Sequence, residues 1–250
     1  MGKIKFGIIG CGSIGSRHIA VVDSNPRAEI VGICDIDREK TKKYSELYRK
    51  LNQYYSYRDM IKETKADFVN ICTQHDLHPS MAIFAAENGK NILVEKPMAL
   101  TTADCQLMID AAKINNVKLQ VVKQNRYNIP VRLTKEALDS GKLGKIYMVK
   151  CDILWNRHEG YYSESTWRGK KKYEGGALYT QASHFVDLLI WWFGEMTNIK
   201  TNLKKLFHEI EFEDAGMATF DFWNGAMGSL NWTTCAHNKN YEGSITIIAE

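Results

Sequence analysis

The fold is decided by Gly7-Ile8-Ile9-Gly10-Cys11-Gly12-Ser13-Ile14-Gly15, a stretch close to the N-terminus. It begins within an apolar strand pattern, Lys5–Ile9, and leads into a helical pattern. Gly10 permits a tight turn, Gly12 lets an anion approach the backbone, and Gly15 allows the helix to pack closely on the strand. The N–H groups at the start of the helix favour a bound pyrophosphate. The stretch therefore predicts a dinucleotide site formed by Gly10, Gly12, Ser13, Ile14 and Gly15.

Asp35 adds a second element of this site. It directly follows the predicted strand Ile30–Cys34 and lies 20 residues after Gly15. A carboxylate at this place accepts hydrogen bonds from the ribose hydroxyls of adenosine and repels a 2′-phosphate. We therefore expect NAD rather than NADP, although Arg38 lies close enough to weaken the distinction. The alternative is a glycine-rich turn beside a solvated aspartate.

Up to residue 122, apolar strand patterns alternate with helical patterns. Further strands are predicted at Phe68–Cys72, Ile92–Val94 and Leu119–Val122, and helices at Ile14–Asp23, Arg38–Tyr48, His78–Asn88 and Thr102–Asn115. This alternation is typical of right-handed βαβ units and a parallel sheet. We therefore predict an N-terminal Rossmann dinucleotide-binding domain over residues 1–123.

The second half has a different organisation. Helices are predicted at Pro130–Ser140 and Ala177–Phe193, strands at Ile146–Trp155, Thr197–Leu206, Met217–Trp223, Ala226–Thr233 and Ser244–Ala249, and a long loop at Asn156–Glu174. Asn224-Gly225 is a strong hairpin signal. The pattern predicts an α+β domain over residues 124–250 with a largely antiparallel open sheet. The fold class is thus α/β with a Rossmann domain followed by this α+β domain.

The composition limits the protein class. The 250 residues carry a net charge of +4, are 44% hydrophobic and are 25% charged. That charge is too small for a nucleic-acid-binding surface, and the apolar runs are shorter than the roughly 20 residues of a membrane span. The six cysteines show no C-x-x-C spacing, which argues against a metal site. We expect a soluble cytoplasmic protein with reduced cysteines and with no metal, nucleic-acid or membrane partner.

Glu95-Lys96-Pro97 follows the predicted strand that ends at Val94. Ligands of open α/β sheets gather at the carboxyl ends of the strands, so Lys96 is directed toward that region. A lysine there can exchange a proton with a substrate hydroxyl when its surroundings lower its pKa. A solvated lysine at a strand end is the alternative.

Three motifs together resemble the Gfo/Idh/MocA family of NAD(P)-dependent oxidoreductases. They are residues 7–15 with His18, then Glu95-Lys96-Pro97, then Gly175-Gly176-Ala177-Leu178 with His184 and Asp187, in the family's order over essentially the whole chain. The resemblance implies hydride transfer between a sugar or cyclitol carbon and nicotinamide. It implies that Lys96 is the proton-transfer group and that His184 lies near the reacting hydroxyl.

Other family properties follow from the same resemblance. The loops that border the ribose and nicotinamide map to Thr73, His78, Glu95, Lys96 and Gln124, and cleft residues that face substrate map to Asn125 and Arg126. The exposed sheet face commonly forms a subunit interface, so a homodimer or homotetramer is expected. Alternating aromatic residues in the last strands point to a sheet that is apolar on both faces, which would need such a second layer. Family members are usually longer, so we expect the second domain to be truncated at residue 250.

The chain departs from the family at Thr180, where many members have an aspartate four residues before the histidine. Residues i and i+4 share a helix face, so Thr180 and His184 are expected to lie together. Threonine cannot act as a carboxylate acid or base, which leaves proton transfer to Lys96 and His184. The alternative for His184 is a histidine satisfied within an apolar helix.

The stretch between residues 157 and 184 is similar to the family branch that acts on nucleotide sugars in surface-polysaccharide biosynthesis, such as UDP-N-acetylglucosamine and its uronate. Arg157 and Arg168 can bind a diphosphate or a carboxylate, and Tyr161 and Trp167 can stack on uracil or on a sugar face. Lys170-Lys171-Lys172 is interpreted as a solvated loop tip. The alternatives are a dehydrogenase of inositol or a free monosaccharide, and a non-catalytic NAD-binding sensor or assembly protein.

Overall fold

The computed structural model describes residues 2–48 and 51–250. The chain divides into two compact units, Met1–Val122 and Lys123–Glu250. The first unit has a parallel sheet covered by helices, and the second has a mostly antiparallel sheet. The predicted fold class is therefore confirmed.

The first unit is a doubly wound sheet of six parallel strands. The strands are β1 Ile4–Ile9, β2 Ala28–Cys34, β3 Gln53–Tyr54, β4 Phe68–Ile71, β5 Asn91–Val94 and β6 Leu119–Val121. The helices are α1 Ser13–Ser24, α2 Arg38–Leu47, α3 Tyr57–Glu63, α4 His78–Glu87 and α5 Thr102–Ile114. The strand order is β3-β2-β1-β4-β5-β6. The order reverses between β1 and β4, which is where open α/β sheets bind their ligands.

Two elements of this unit are absent from the sequence-based prediction. Strand β3 has two residues, and helix α3 has seven. The Ser56 hydroxyl caps the start of α3 by accepting from the backbone N–H of Asp59. Elements this short contain too few residues for a periodic pattern to emerge.

The second unit combines helices with a five-stranded sheet. The helices are α6 Ile129–Asp139, α7 Glu159–Ser163, α8 Lys171–Glu174 and α9 Ser183–Phe193. The strands are β7 Ile146–Leu154, β8 Met196–Lys204, β9 Ala215–Phe222, β10 Met227–Thr233 and β11 Glu242–Ala249, in the order β11-β7-β10-β9-β8. Only the β7–β10 pair among these described pairings is parallel.

One face of this sheet is apolar and the other is mixed. Phe220 and Trp232 are buried in the core that also contains Phe185 and Leu189 of α9. A Cβ at Gly216 would come within 2.2 Å of the Trp232 ring, so glycine is needed for this packing. The opposite face carries Met217, Thr219 and Asp221 on β9 and Met227, Ser229 and Asn231 on β10. The expectation of a sheet that is apolar on both faces is therefore wrong.

The segment that leads into α9 is not the single α-helix expected over 177–193. Leu178–Ala182 forms a π-helical turn, and the α-helix begins at Ser183. The wider turn changes the direction of the side chains before Ser183, and such turns occur frequently at functional sites. In the part of the chain that the structure describes, no helix is both long and apolar enough to span a bilayer.

Candidate active site

The turn after β1 is built around two glycines that the protein's own packing requires. Gly10 has a φ of +90°, and a Cβ there would lie 2.6 Å from the carbonyl oxygen of Cys72. A Cβ at Gly15 would lie 1.8 Å from the carbonyl oxygen of Gly10. Glycine at residue 10 lets the turn pack against Cys72, which follows β4. Glycine at residue 15 lets the first turn of α1 pack against the backbone of Gly10.

Gly12 is different, because a Cβ at this residue would meet no protein atom within 4 Å. Its φ of −78° and ψ of −160° are accessible to any residue. No side chain caps the start of α1, and Ser13 and Ile14 are exposed there. Open space beside uncapped N–H groups and the positive end of a helix dipole suits a pyrophosphate. The turn therefore fits a bound dinucleotide, which Ser13, Ile14 and Gly15 would hold through the backbone.

Asp35 is anchored directly to this turn. Its Oδ2 accepts from the backbone N–H of Cys11 at 2.8 Å, and its Oδ1 accepts from the backbone N–H of Asp37 at 2.9 Å. Each carboxylate oxygen retains acceptor capacity after one hydrogen bond. The half-buried carboxylate can therefore also accept the two hydroxyls of a ribose. Arg38 stacks over the ring of Tyr55, with 4.5 Å between its Cζ and the ring centroid.

His78 joins the loops that follow β4 and β5. The ring is fully buried, with Nδ1 at 2.9 Å from the carbonyl oxygen of Pro97 and Nε2 at 3.2 Å from that of Thr73. Burial lowers the pKa of His78 and outweighs the opposing effect of the two carbonyls. The ring thus holds the backbone on either side of the site, and its nitrogens face protein groups.

Lys96 follows β5 at the carboxyl edge of the sheet and is half-buried. Its backbone N–H donates to Glu95 Oε2 at 3.1 Å. Glu95 is buried, and its other oxygen, Oε1, lies 3.0 Å from His18 Nε2. The Nδ2 group of Asn70 on β4 lies 3.1 Å from His18 Nδ1. The first unit therefore contains a polar chain of three buried or half-buried side chains that ends at Lys96.

In the second unit, Arg126 is already paired. Its Nε and Nη2 donate to the two carboxylate oxygens of Asp187, both at 2.8 Å, and its guanidinium lies over the ring of Trp191. Lys123 Nζ is 3.9 Å from the same carboxylate, and burial lowers the pKa of Lys123. Arg126 thus ties the short turn Gln124–Tyr127, which contains Asn125, to α9.

Arg157 and Arg168 form a cationic cluster around one aromatic ring. The Cζ atoms of Arg157 and Arg168 lie 5.3 and 4.3 Å from the centroid of Tyr161. Arg168 also lies over Trp167, at 5.4 Å. Within residues 2–48 and 51–250, no carboxylate is within ion-pair distance of either guanidinium. Two positive charges held by rings without an acidic partner are suited to an anionic ligand.

Gln181 connects the members of this cluster. Its Oε1 accepts from Arg157 Nη2, and its Nε2 donates to the Tyr161 hydroxyl at 3.0 Å. Gln181 belongs to the π-helical turn and is buried. The same turn places Thr180, whose hydroxyl donates to the carbonyl oxygen of Gly176 at 3.0 Å. His184 follows in the first turn of α9 and is 8% exposed.

The backbone of Arg157 is held by a buried polar cluster behind it. His208 Nε2 donates to the Arg157 carbonyl oxygen at 2.7 Å, and His208 Nδ1 lies 3.2 Å from Asp214 Oδ2. Cys235 Sγ is 3.9 Å from the same nitrogen. Asp214 accepts backbone N–H groups from residues 206–208, which lower its pKa in spite of its burial. Burial raises the pKa of Cys235, so the cluster has the properties of a structural anchor.

We expect Asp214→Asn to lower the free energy of unfolding by roughly 2–3 kcal/mol at pH 7, because charged acceptors of several N–H groups are lost. The pKa of Asp214 is lower in the folded state, so its contribution is present above about pH 4 and disappears as the pH falls below that value. Urea unfolding at pH 7 and pH 3 measures the difference. The exposed neighbour variant Glu209→Gln is the control, and an Asp214→Asn effect that persists unchanged at pH 3 would contradict the assignment.

Several of these residues were not among the sequence-based candidates. Asn70, Gln181, His208 and Asp214 lie in ordinary strand, helix or loop patterns. Asn70, Gln181 and His208 each bond to a residue 20 or more positions away, whereas the Asp214 carboxylate accepts from residues six to eight positions away. The sequence signal for Gln181 was its position beside Thr180 in the motif before α9. The rest have no local signal.

The comparisons with known proteins agree with this geometry. Residues 4–123 match the model of the oxidoreductase family with an NAD-binding Rossmann fold, and residues 131–250 match the GFO/IDH/MocA C-terminal domain. The chain belongs to the Gfo/Idh/MocA oxidoreductase family. Its first unit is accordingly an NAD-binding Rossmann domain, and the resemblance inferred from the three motifs is confirmed.

Two solved structures and one curated enzyme of this family are similar to the chain. WlbA dehydrogenase from Bordetella pertussis, solved with NADH and UDP-GlcNAcA, is 40% identical with a TM-score of 0.95, over 99% of this chain and 76% of that one. The WlbA of Chromobacterium violaceum is 39% identical with a TM-score of 0.97, over 100% and 72%. Inositol 2-dehydrogenase of Salmonella typhimurium is 30% identical over 77% of this chain, which spans 55% of that enzyme.

Proposed function

We propose that this protein is an NAD-dependent dehydrogenase that oxidises a hydroxyl-bearing carbon of an anionic nucleotide sugar, such as a UDP-N-acetylhexosamine or its uronate. The observation that carries the proposal is the pair of guanidiniums of Arg157 and Arg168, stacked on Tyr161 without a carboxylate partner among the described residues. The 40% identity with a WlbA solved with UDP-GlcNAcA supports the same substrate class.

The chemistry assigns distinct roles to the chain's own residues. NAD, when bound, supplies the hydride acceptor. Lys96 takes the proton of the substrate hydroxyl as the carbon is oxidised to a ketone, and His184 assists at that hydroxyl. Gly12, Ser13, Ile14 and Gly15 hold the pyrophosphate, and Asp35 accepts the adenosine ribose. Thr73, Glu95 and Gln124 border the cofactor, with Asn125, Arg126 and Thr180 on the substrate side, while Trp167 contributes a stacking surface.

A second candidate function is oxidation of inositol or of a free monosaccharide. It is favoured by the 30% identity with an inositol 2-dehydrogenase. A screen that follows NADH absorbance with UDP-sugars, free hexoses and inositols separates the two functions. Turnover that depends on the nucleotide moiety supports the proposal, turnover of free inositol supports the second candidate, and NAD binding without any turnover indicates a non-catalytic sensor.

The setting proposed for the enzyme is cytoplasmic, in the synthesis of polysaccharide precursors. All six cysteines are free, which is consistent with a reducing compartment. We also propose a homodimer or homotetramer formed through the outer face of the second unit's sheet. Exposed Met148, Met217, Met227 and Ile248 support this interface.

Arg168→Met should raise the KM for an anionic nucleotide sugar about 10–100-fold, since one charge-assisted contact is worth roughly 1.5–3 kcal/mol. The methionine retains apolar packing against Tyr161, so kcat should change less than threefold by this argument. Steady-state NADH formation provides both constants. Lys171→Met, at the exposed start of α8 rather than in the expected loop tip, is the matched control. An unchanged KM in Arg168→Met would remove Arg168 from the substrate site.

A further inference from the structure

A chain of hydrogen bonds lies behind Lys96. The Asn70 side-chain amide is 3.1 Å from His18 Nδ1. His18 Nε2 then donates to Glu95 Oε1 at 3.0 Å. Glu95 Oε2 accepts the backbone N–H of Lys96 at 3.1 Å. Three separate elements, β4, α1 and the segment after β5, thus converge on one carboxylate beside Lys96.

Such a carboxylate is costly to bury for stability alone. Glu95 is 6% exposed, and an ion in this position is commonly no better for stability than a well-packed apolar residue. Burial raises the pKa of Glu95, but the hydrogen bond and electrostatic interaction with His18, followed by the N–H and charge of Lys96, outweigh burial and lower the pKa. The group is therefore an anion at neutral pH. A fixed negative charge next to a proton-transfer lysine affects both the place and the protonation of that lysine.

We propose that Asn70, His18 and Glu95 are positioning residues that hold the Lys96 backbone in place and provide the negative charge that sets its protonation. This inference rests on the proposed role of Lys96. It goes beyond that role because it assigns functions to His18 and Asn70. His18 also lies on α1, so the helix whose start is suited to a pyrophosphate is tied to the segment that carries Lys96.

Other groups near Glu95 must be considered in any pH dependence. Cys72 and His78 both interact electrostatically with its carboxylate, in addition to His18 and Lys96. Burial raises the pKa of the Cys72 thiol and lowers that of the His78 imidazole, so both are neutral at pH 7. Among these groups, Glu95 provides a negative charge that interacts with Lys96 at neutral pH.

The test measures the reactivity of the Lys96 amine directly. The purified protein is treated with trace formaldehyde and cyanoborohydride at pH 6 to 11, and mass spectrometry quantifies methylation of the peptide that contains Lys96. In Glu95→Gln, the midpoint of the reactivity curve should move to lower pH by roughly one unit, because the neutral amine is favoured once the anion is removed. Asp23→Asn, an exposed substitution on α1, should leave the curve at the wild-type position.

Activity supplies the second readout. His18→Leu should lower kcat about tenfold with less than a twofold change in NAD affinity, whereas His18→Gln, which retains an amide donor for Glu95, should recover part of the loss. A pH profile of Lys96 methylation in Glu95→Gln that coincides with that of the wild type would overturn the proposal. So would equal kcat values for His18→Leu and wild type. If the wild type oxidises no substrate, the proposed function fails, but the labelling curve still decides whether Glu95 controls the Lys96 amine.

Discussion

Lys96→Met is expected to reduce kcat by about 10²–10⁴-fold, the usual contribution of a positioned acid–base group. Methionine has nearly the length of lysine but no proton acceptor, so the hydroxyl proton has no receiver when the carbon is oxidised. NAD affinity should change little, because the pyrophosphate and ribose contacts belong to the glycine turn and Asp35. Initial rates of NADH formation give kcat, and quenching of tryptophan fluorescence by NAD gives the affinity.

Two further variants decide how Lys96 acts. Lys96→Arg retains a positive charge, but its guanidinium does not release its proton at accessible pH. It should therefore be as impaired as Lys96→Met if proton transfer is the role, and it should retain activity if the charge alone matters. Lys113→Met, on the exposed end of α5, is the matched control. Substantial turnover by Lys96→Met would refute the assignment.

Much of the fold could be predicted because its signals are local. The strand, the glycine turn and the following helix lie within one short stretch, and alternation of strand and helix patterns implies the parallel sheet. The π-helical turn Leu178–Ala182 could not be predicted, because its residues are equally compatible with an α-helix. The same limit applies to β9, where alternation shows that one face is buried but says little about the other.

The candidate site divides in a similar way. Candidate residues that belong to a motif, such as Gly12 and Lys96, could be proposed from their neighbours in sequence. The interactions that hold them could not, because they join distant parts of the chain: His18 and Glu95 are 77 residues apart, and Asn70 and His18 are 52 apart. Arg126 illustrates the consequence. Its place on the substrate side is predicted from a motif, whereas its ion pair with Asp187 on α9, 61 residues away, has no local sequence signal.

The three glycines of the turn after β1 differ in whether the packing of the protein itself requires them. Gly10 and Gly15 are needed by the protein itself, since a Cβ at either would collide with a backbone carbonyl. Gly12 has no such neighbour, and its backbone angles suit any residue. A glycine that the protein does not require for folding is explained by the space that a ligand needs close to the backbone.

Gly12→Val should therefore weaken NAD binding at least 100-fold, which corresponds to about 2.7 kcal/mol, while the melting temperature stays within roughly two degrees of the wild type. The valine side chain would project into the open space at the start of α1, where a Cβ meets no protein atom within 4 Å. Calorimetric titration with NAD and thermal unfolding of the same preparations measure the two effects. Gly15→Ala is the matched comparison, because it should lower the melting temperature and lose NAD binding together. If Gly12→Val binds NAD as the wild type does, the pyrophosphate does not lie over this turn, and the cofactor site must be sought elsewhere in the first unit.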